Sequence, residues 1–491
     1  MRVVEINVDR GSDVFRSNHR RVITRYLDLV EDDMIQSVVD RVMLFSEEEV
    51  DNNLQRVLKH FTGRHYCLNS VLLKHYHNVS KYIPSDAHIS EERRLLMGSY
   101  FTMEYSIESA ALFNPSIVVH PDQSGVTGGG TRLLMSLRAT GEGHISSIVF
   151  RQGVIHQDGT IIFESPGDSS RTGEIVHDHQ YSKPLFLKKL TEMQCHSPEV
   201  DRVLDKLESR FTVAELEIAS KVLLGVNQHS PAMKDAVGHI RNLAHANYEL
   251  QFDDQTDPSD MVIFPTSRGE CAGMEDVRLV RFVDDDGSVT FYGTYTAYDG
   301  RKILPQMFET TDFQRFRIMT LAGKYAQDKG MAMFPRKIGG QYVMVSRLDG
   351  ESLFLMRSDN PHIWNNATLL QKPVSPWESV KIGNCGSPLE TDRGWLLLTH
   401  GVGPMRQYCI GALLLDLDDP GKIIGKTREP ILVPTEAERE GYVPNVVYTC
   451  GAVIHKNTLV MPYAMSDLAT GFATFDLDEL MTYMQPEPIL V

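Results

Sequence analysis

Glu275, Asp276 and Arg278 fall within four positions of "GMEDVRLVRF", a stretch that otherwise reads as β-strand. Charges on an element that will be partly buried are either a structural ion pair or the floor of a site. Two carboxylates beside a set of cations suit a glycosidic substrate. One acid protonates the leaving oxygen while a second group attacks the anomeric carbon from the other face. That second group is either a phosphate held by Arg and Lys or a water activated by a further carboxylate. These residue types leave both routes open.

Positioning those charges falls to β structure. From about residue 260 the chain consists of short β-branched and aromatic runs separated by Gly, Asp and Asn turns. Four segments resemble one another, with key positions at Tyr292, Tyr342, Trp395 and Leu459, and a fifth unit is read upstream in "FNPSIVVHPDQSGVTGGGTRLLMSLRATGEGHISSIVF". A spacing of this size is that of a propeller blade. The expected fold is therefore mainly β: a five-bladed β-propeller with an N-terminal helical region and an inserted helical hairpin. First strands facing a central channel would bring Asn114, Arg138, Glu275, Asp276, Arg278, Asp299, Lys329, Arg347 and His400 to one mouth.

Helical periodicity marks the remainder. Residues 15–110 repeat apolar positions three and four apart, with Ser46 before "EEEV" as an N-cap. A second block at about 197–250 opens on Ser197 and Pro198, a cap and first-turn pair. The expected division is a helical region at 1–110, a catalytic domain at 111–480 carrying the insertion at about 197–250, and a tail at 481–491. The helical parts are read as a subunit interface, giving a homo-oligomer.

Composition narrows the class. Of 491 residues, 42% are apolar and 23% charged, as in ordinary soluble proteins, and the net charge of -16 with no basic cluster argues against a nucleic-acid partner. The N-terminus has no basic region followed by an apolar run, and no 18-residue apolar stretch occurs. A cytoplasmic protein with no membrane partner is expected. Six scattered cysteines without CxxC spacing predict reduced, buried thiols and no metal site. "VTGGGT" at 126–131 is a turn, and Trp395 is expected to pack between strands.

Five ordered motifs, "GMEDVRLVRF…YGTYTAYDG", "KGMAMFPRKIGGQYVMVSR", "GNCGSPLETDRGWLLLTHGVG", "IGALLLDLDDPGKII" and "EREGYVPNVVYTCGA", together resemble glycoside hydrolase family 130, the β-mannoside phosphorylases and β-1,2-mannosidases. The resemblance covers roughly 112–480 outside the helical insertion. It implies a five-bladed propeller and inverting chemistry, with Asp276 as proton donor acting through a substrate hydroxyl. Val277 stands where the motif has proline. It implies phosphate contacts at Lys329, Arg347 and His400, with Lys329 in place of arginine and Gly330 where asparagine is common. Asn114, Arg138, Glu275, Arg278, Asp299 and Tyr442 would bind substrate. The expected activity is phosphorolysis of β-mannosides, most of all β-1,2-linked manno-oligosaccharides, releasing α-mannose 1-phosphate, with inorganic phosphate as co-substrate and no other cofactor. Two alternatives stand beside it. A β-1,2-mannosidase would take its base from Glu438 or Glu440, and a non-catalytic propeller would bind glycans or proteins.

Overall fold

The computed structural model describes residues 6–84, 88–167, 169–176, 180–226 and 230–484; the expectations for 1–5 and for 485–491 lie outside the described residues. The fold is mainly β, with helices in two places. Its sheets form five antiparallel meanders. The first strands of these are Ala111–Val119, Gly273–Val283, Lys329–Met333, Lys381–Asn384 and Val447–Tyr448. Each is followed by a second strand running back beside it: Thr131–Thr140, Val289–Tyr298, Tyr342–Arg347, Gly394–Val402 and Thr458–Met465. Each meander packs on the next, and the fifth packs on the first. The first two also meet through the pairing of Gly273 with Ser146.

Burial explains the texture of the second strands. Gly394–Val402, "GWLLLTHGV", is buried at every position, so its near-continuous apolar run reflects a sheet covered on both faces rather than one face in water. Trp395 is fully buried and donates its indole N–H to the Leu417 carbonyl at 3.1 Å. It packs between strands as expected. The chain also closes on itself: Asp9 and Arg10 pair with Thr474 and Ala473 on the last strand of the fifth meander, and Phe15 pairs with Thr470.

The N-terminal region holds four helices, Asp32–Met43, Glu47–Phe61, Leu68–Val79 and Glu91–Tyr100. Ser46 caps the second of these: its hydroxyl accepts from the Glu49 N–H at 3.3 Å, and Glu49 accepts from the Ser46 N–H at 2.8 Å. "VITRY", read as helical, is instead a strand, Val22–Tyr26, paired with Thr102–Ser106. Its β-branched start favours that state once a partner strand is available.

The insertion is larger than a hairpin and begins earlier than residue 197. It comprises four helices, Lys183–Glu192, Pro198–Leu204, Val213–Val226 and Pro231–His245, around a core of its own that includes Leu190, Val203, Phe211, Leu216 and Ile240. "KPLFLKKLTE" is too short and lysine-rich to show a helical stripe. At the other end, the helix Leu477–Tyr483 runs into the segment read as a tail. The thiols also divide: Cys385, Cys409 and Cys450 are buried, whereas Cys67 and Cys271 are exposed.

A buried ion triad ties these parts together. Glu108, fully buried, takes Arg21 Nε at 3.1 Å and Arg151 Nη2 at 3.0 Å, and Arg21 reaches on to the Ser259 carbonyl at 2.9 Å. Removing the acid leaves two buried guanidinium groups without a counter-charge, at a cost of about 3–5 kcal/mol. Glu108→Gln should therefore lower the thermal midpoint by several degrees in a calorimetric scan. An unchanged midpoint would show that the triad contributes no net stability.

Candidate active site

One backbone irregularity recurs in the first three meanders and aims the site's side chains. The ladder between first and second strands slips between Phe113 and Ser116, between Glu275 and Arg278, and between Lys329 and Ala332. Each bulge contains a residue in the left-handed region: Asn114 at φ 49°, Asp276 at φ 58° and Gly330 at φ 84°. A bulge turns a side chain away from its strand's alternation, and a non-glycine residue there costs on the order of 1 kcal/mol or more. Asn114 and Asp276 accept that cost and meet: the Asn114 amide donates to Asp276 Oδ1 at 2.5 Å. Val277, in place of the motif proline, is buried in the sheet core.

Cations from three directions hold the two carboxylates. Arg138 donates to Glu275 at 2.9 Å and approaches Asp276 at 3.5 Å, and Lys329 Nζ lies 2.7 Å from Glu275 Oε2. Arg278 is buried and acts from beneath, donating to the Asp276 backbone carbonyl at 2.9 Å and to the Tyr448 hydroxyl at 2.7 Å. Burial pushes the Asp276 carboxyl up. The charges of Arg138, Arg278 and Lys329 and the Asn114 hydrogen bond outweigh it, so Asp276 lies below its ordinary value.

Register explains why the remaining basic residues converge. Arg138 stands opposite Phe113, Arg347 opposite Lys329 and His400 opposite Gly383. All three occupy the end of a second strand beside the start of a first strand. Arg347 forms no hydrogen bond or ion pair among the described residues, and its Nε is buried without a partner. His400, expected as a phosphate contact, stands at this mouth as a neutral ring rather than as a third cation. Burial first, then the neighbouring Arg347 and Arg278 charges, push its imidazole well below its usual value. Its ring stacks on Tyr408 at 5.9 Å and meets Tyr448 edge-on at 4.9 Å. A Cβ at Gly383 would lie 2.3 Å from His400 Cε1, so glycine leaves the ring its place.

Other expected residues stay outside this cluster. Asp299 spends its carboxylate on the turn that follows it, accepting from the Arg301 and Lys302 N–H groups at 2.7 and 2.6 Å. Glu438 closes a capping box with Thr435, accepts from the Tyr463 hydroxyl and pairs with Arg10 at 3.3 Å. Its carboxylate serves that turn, which removes it as a candidate base. Glu440 is exposed with no partner among the described residues. Tyr442 is exposed and stacks on His144, from the hairpin after Thr131–Thr140, at 5.7 Å.

Two members of the site carry no sequence signal of chemistry. Tyr448 reads as a strand aromatic, yet it anchors Arg278 and His400. Asp467 sits in the hairpin after Thr458–Met465, with Ser466 and Asp467 both at positive φ (48° and 52°), and so reads as an ordinary turn aspartate. Burial first and the Asp276 charge second push its carboxyl up to about 6, with Arg138 and Arg406 opposing. The assembly offers a carboxylate aimed by strain, a second carboxylate saturated by cations, and an unpaired guanidinium beside a lysine and a neutral imidazole. It brings a carboxylate poised for proton exchange and a set of groups suited to an anion into one place.

Known proteins resemble the chain in sequence. Residues 215–486 match the family described as beta-1,4-mannooligosaccharide phosphorylase, Glyco_hydro_130. A 1,2-beta-oligomannan phosphorylase of Thermoanaerobacter sp. is 33% identical over 219 residues, 43% of this chain and 71% of that protein. A beta-1,2-mannobiose phosphorylase from the same source is 34% identical over 215 residues, 43% of this chain and 69% of that protein. The solved beta-1,2-mannobiose phosphorylase of Listeria innocua superposes with a TM-score of 0.45 at 19% identity, covering 77% of this chain and 92% of that one. The match across more than half the chain and the identity to these relatives show that this protein belongs to glycoside hydrolase family 130.

Proposed function

We propose that the chain catalyses inverting phosphorolysis of β-mannosides, β-1,2-linked manno-oligosaccharides above all, releasing α-mannose 1-phosphate with inorganic phosphate as co-substrate. The observation that carries this reading is Arg347: a half-buried guanidinium with no protein partner, directly across the ladder from Lys329. Like charges opposed on a ladder are destabilising, and a bound anion reverses the sign. The named activities of the relatives supply the substrate class. Support for a five-bladed propeller comes from five meanders, each packed on the next and the last on the first.

In this mechanism Asp276 protonates the glycosidic oxygen, through a substrate hydroxyl, while phosphate attacks the anomeric carbon from the opposite face. Arg347, Lys329 and a neutral His400 seat the phosphate. Its negative charge offsets the cations that hold the Asp276 carboxyl down and so raises it towards the range where it carries a proton. Binding the nucleophile therefore helps to load the acid. A hydrolase would need a carboxylate base for water, but Glu438 is already committed to Thr435, Tyr463 and Arg10, and Glu440 lies exposed outside the cluster.

Three outcomes test the proposal. β-1,2-mannobiose should be consumed only when phosphate is supplied, with α-mannose 1-phosphate as product; free mannose released at the same rate without phosphate would overturn it, and no product under either condition would favour a binding module. Arg347→Met should raise the phosphate KM by about 10- to 100-fold, the size of a lost charge-assisted hydrogen bond. Asp276→Asn keeps the shape and removes the proton, so kcat should fall by about 10²-fold or more.

The pH profile gives a further check. Activity falls as pH rises through the Asp276 pKa, because the donor loses its proton. Asp467 is pushed up to about 6 partly by the Asp276 charge, so it is uncharged while Asp276 titrates; Asp467→Asn should leave the Asp276 limb of kcat/KM in place and remove any limb near pH 6. A limb near pH 6 that survives Asp467→Asn would belong to another group.

A further inference from the structure

The three equivalent bulges are not filled alike. In the first two the left-handed residue carries a polar side chain, Asn114 or Asp276, directed into the site. In the third it is Gly330, and the space beside it is occupied from the neighbouring meander. Oδ1 of Asn384 lies 3.4 Å from where a Cβ on Gly330 would stand, and Arg347 Cβ lies at 4.0 Å from the same point. Asn384 is buried, at 1% exposure, on the strand Lys381–Asn384. Its amide nitrogen donates to the Gly386 carbonyl at 3.3 Å, which leaves its oxygen facing the Gly330 bulge. That oxygen has no partner among the described residues, and neither does Nε of Arg347, whose side chain borders the same bulge.

A buried acceptor and a buried donor left unpaired around one bulge each carry a desolvation cost, and they do not satisfy each other. One ligand satisfies both: an oxyanion that accepts from Arg347 and Lys329 and also donates a proton. Hydrogenphosphate has that combination, with charged oxygens for the cations and one P–OH for the amide oxygen. Sulfate has the same shape and charge and no proton to donate. We propose that Asn384 Oδ1 accepts the P–OH of bound hydrogenphosphate, orients its attacking oxygen, and makes this site select phosphate over sulfate. The P–OH proton stays on phosphorus through the attack. The ester bond forms to the anomeric carbon as the glycosidic oxygen leaves with the proton from Asp276, and the product departs as the hydrogenphosphate ester.

The inference rests on phosphate being the nucleophile, and the test keeps the two claims apart. Calorimetric titration of the unliganded protein with inorganic phosphate and with sulfate, at mildly alkaline pH, reads selectivity without turnover. Phosphate should bind more tightly by about tenfold or more, as for one hydrogen bond to a charged partner. Asn384→Ala should bring the two affinities together, whereas Asn384→Asp, which keeps an acceptor there and repels both anions, should retain the preference. Damage to the fold would weaken both anions and leave their ratio unchanged. Equal affinities in the parent protein, binding of neither anion, or an unchanged ratio in an Asn384→Ala protein that binds sulfate as the parent does would each overturn the proposal. Phosphate-dependent turnover alongside any of these results removes Asn384 alone; turnover without phosphate removes the phosphorylase reading itself.

Discussion

Glu275 and Asp276 are adjacent carboxylates on a buried strand, and the site depends on their being matched by cations from elsewhere. Unpaired buried charge is costly enough to unfold a protein or force neutralisation. Here the compensation is distributed: Arg138 comes from the first meander, Arg278 from the same strand, Lys329 from the third, and Tyr448 of the fifth steadies Arg278. Removing the first or the third meander would leave part of the charge uncompensated. The same interaction thus specifies how the sheets sit together and what the site can do.

Much of this was legible in the sequence because chemistry-bearing residues fell at strand ends inside recognisable motifs. Asp276, Glu275, Arg278, Arg138 and Asn114 are found in contact, and Lys329 and Arg347 lie beside them. Tyr448 and Asp467 escaped because their roles come from tertiary placement. A tyrosine in "VVYTC" and an aspartate in "MSDL" are what a strand and a tight turn contain anyway. Glu438 misled for the converse reason, since a glutamate three residues after Thr435 satisfies the local capping box before any distant site can claim it.

His400 shows where charge counting from a sequence fails. Histidine, arginine and lysine near one mouth add up to three cations on paper, yet the protein interior decides how many are charged. A ring fully enclosed beside Arg347 and Arg278 is neutral, so the mouth presents two cations and a neutral imidazole. The helical insertion was underestimated because its first helix, Lys183–Glu192, shows no clear apolar stripe, and its core becomes apparent only when four helices are assembled.

The pairing of Asp9 and Arg10 with the strand that ends at Asp476 carries a kinetic consequence. Asp9–Arg10 leaves the ribosome long before Ala469–Asp476 and waits for its partner while the strands between them are made. Until then Asp9–Arg10 has no sheet to join, and Ala469–Asp476, once made, is an open edge. Closure of so long a loop is slow, so newly made chains must pass through a nearly complete but unlatched state. That edge is where one chain could add to another instead of to itself.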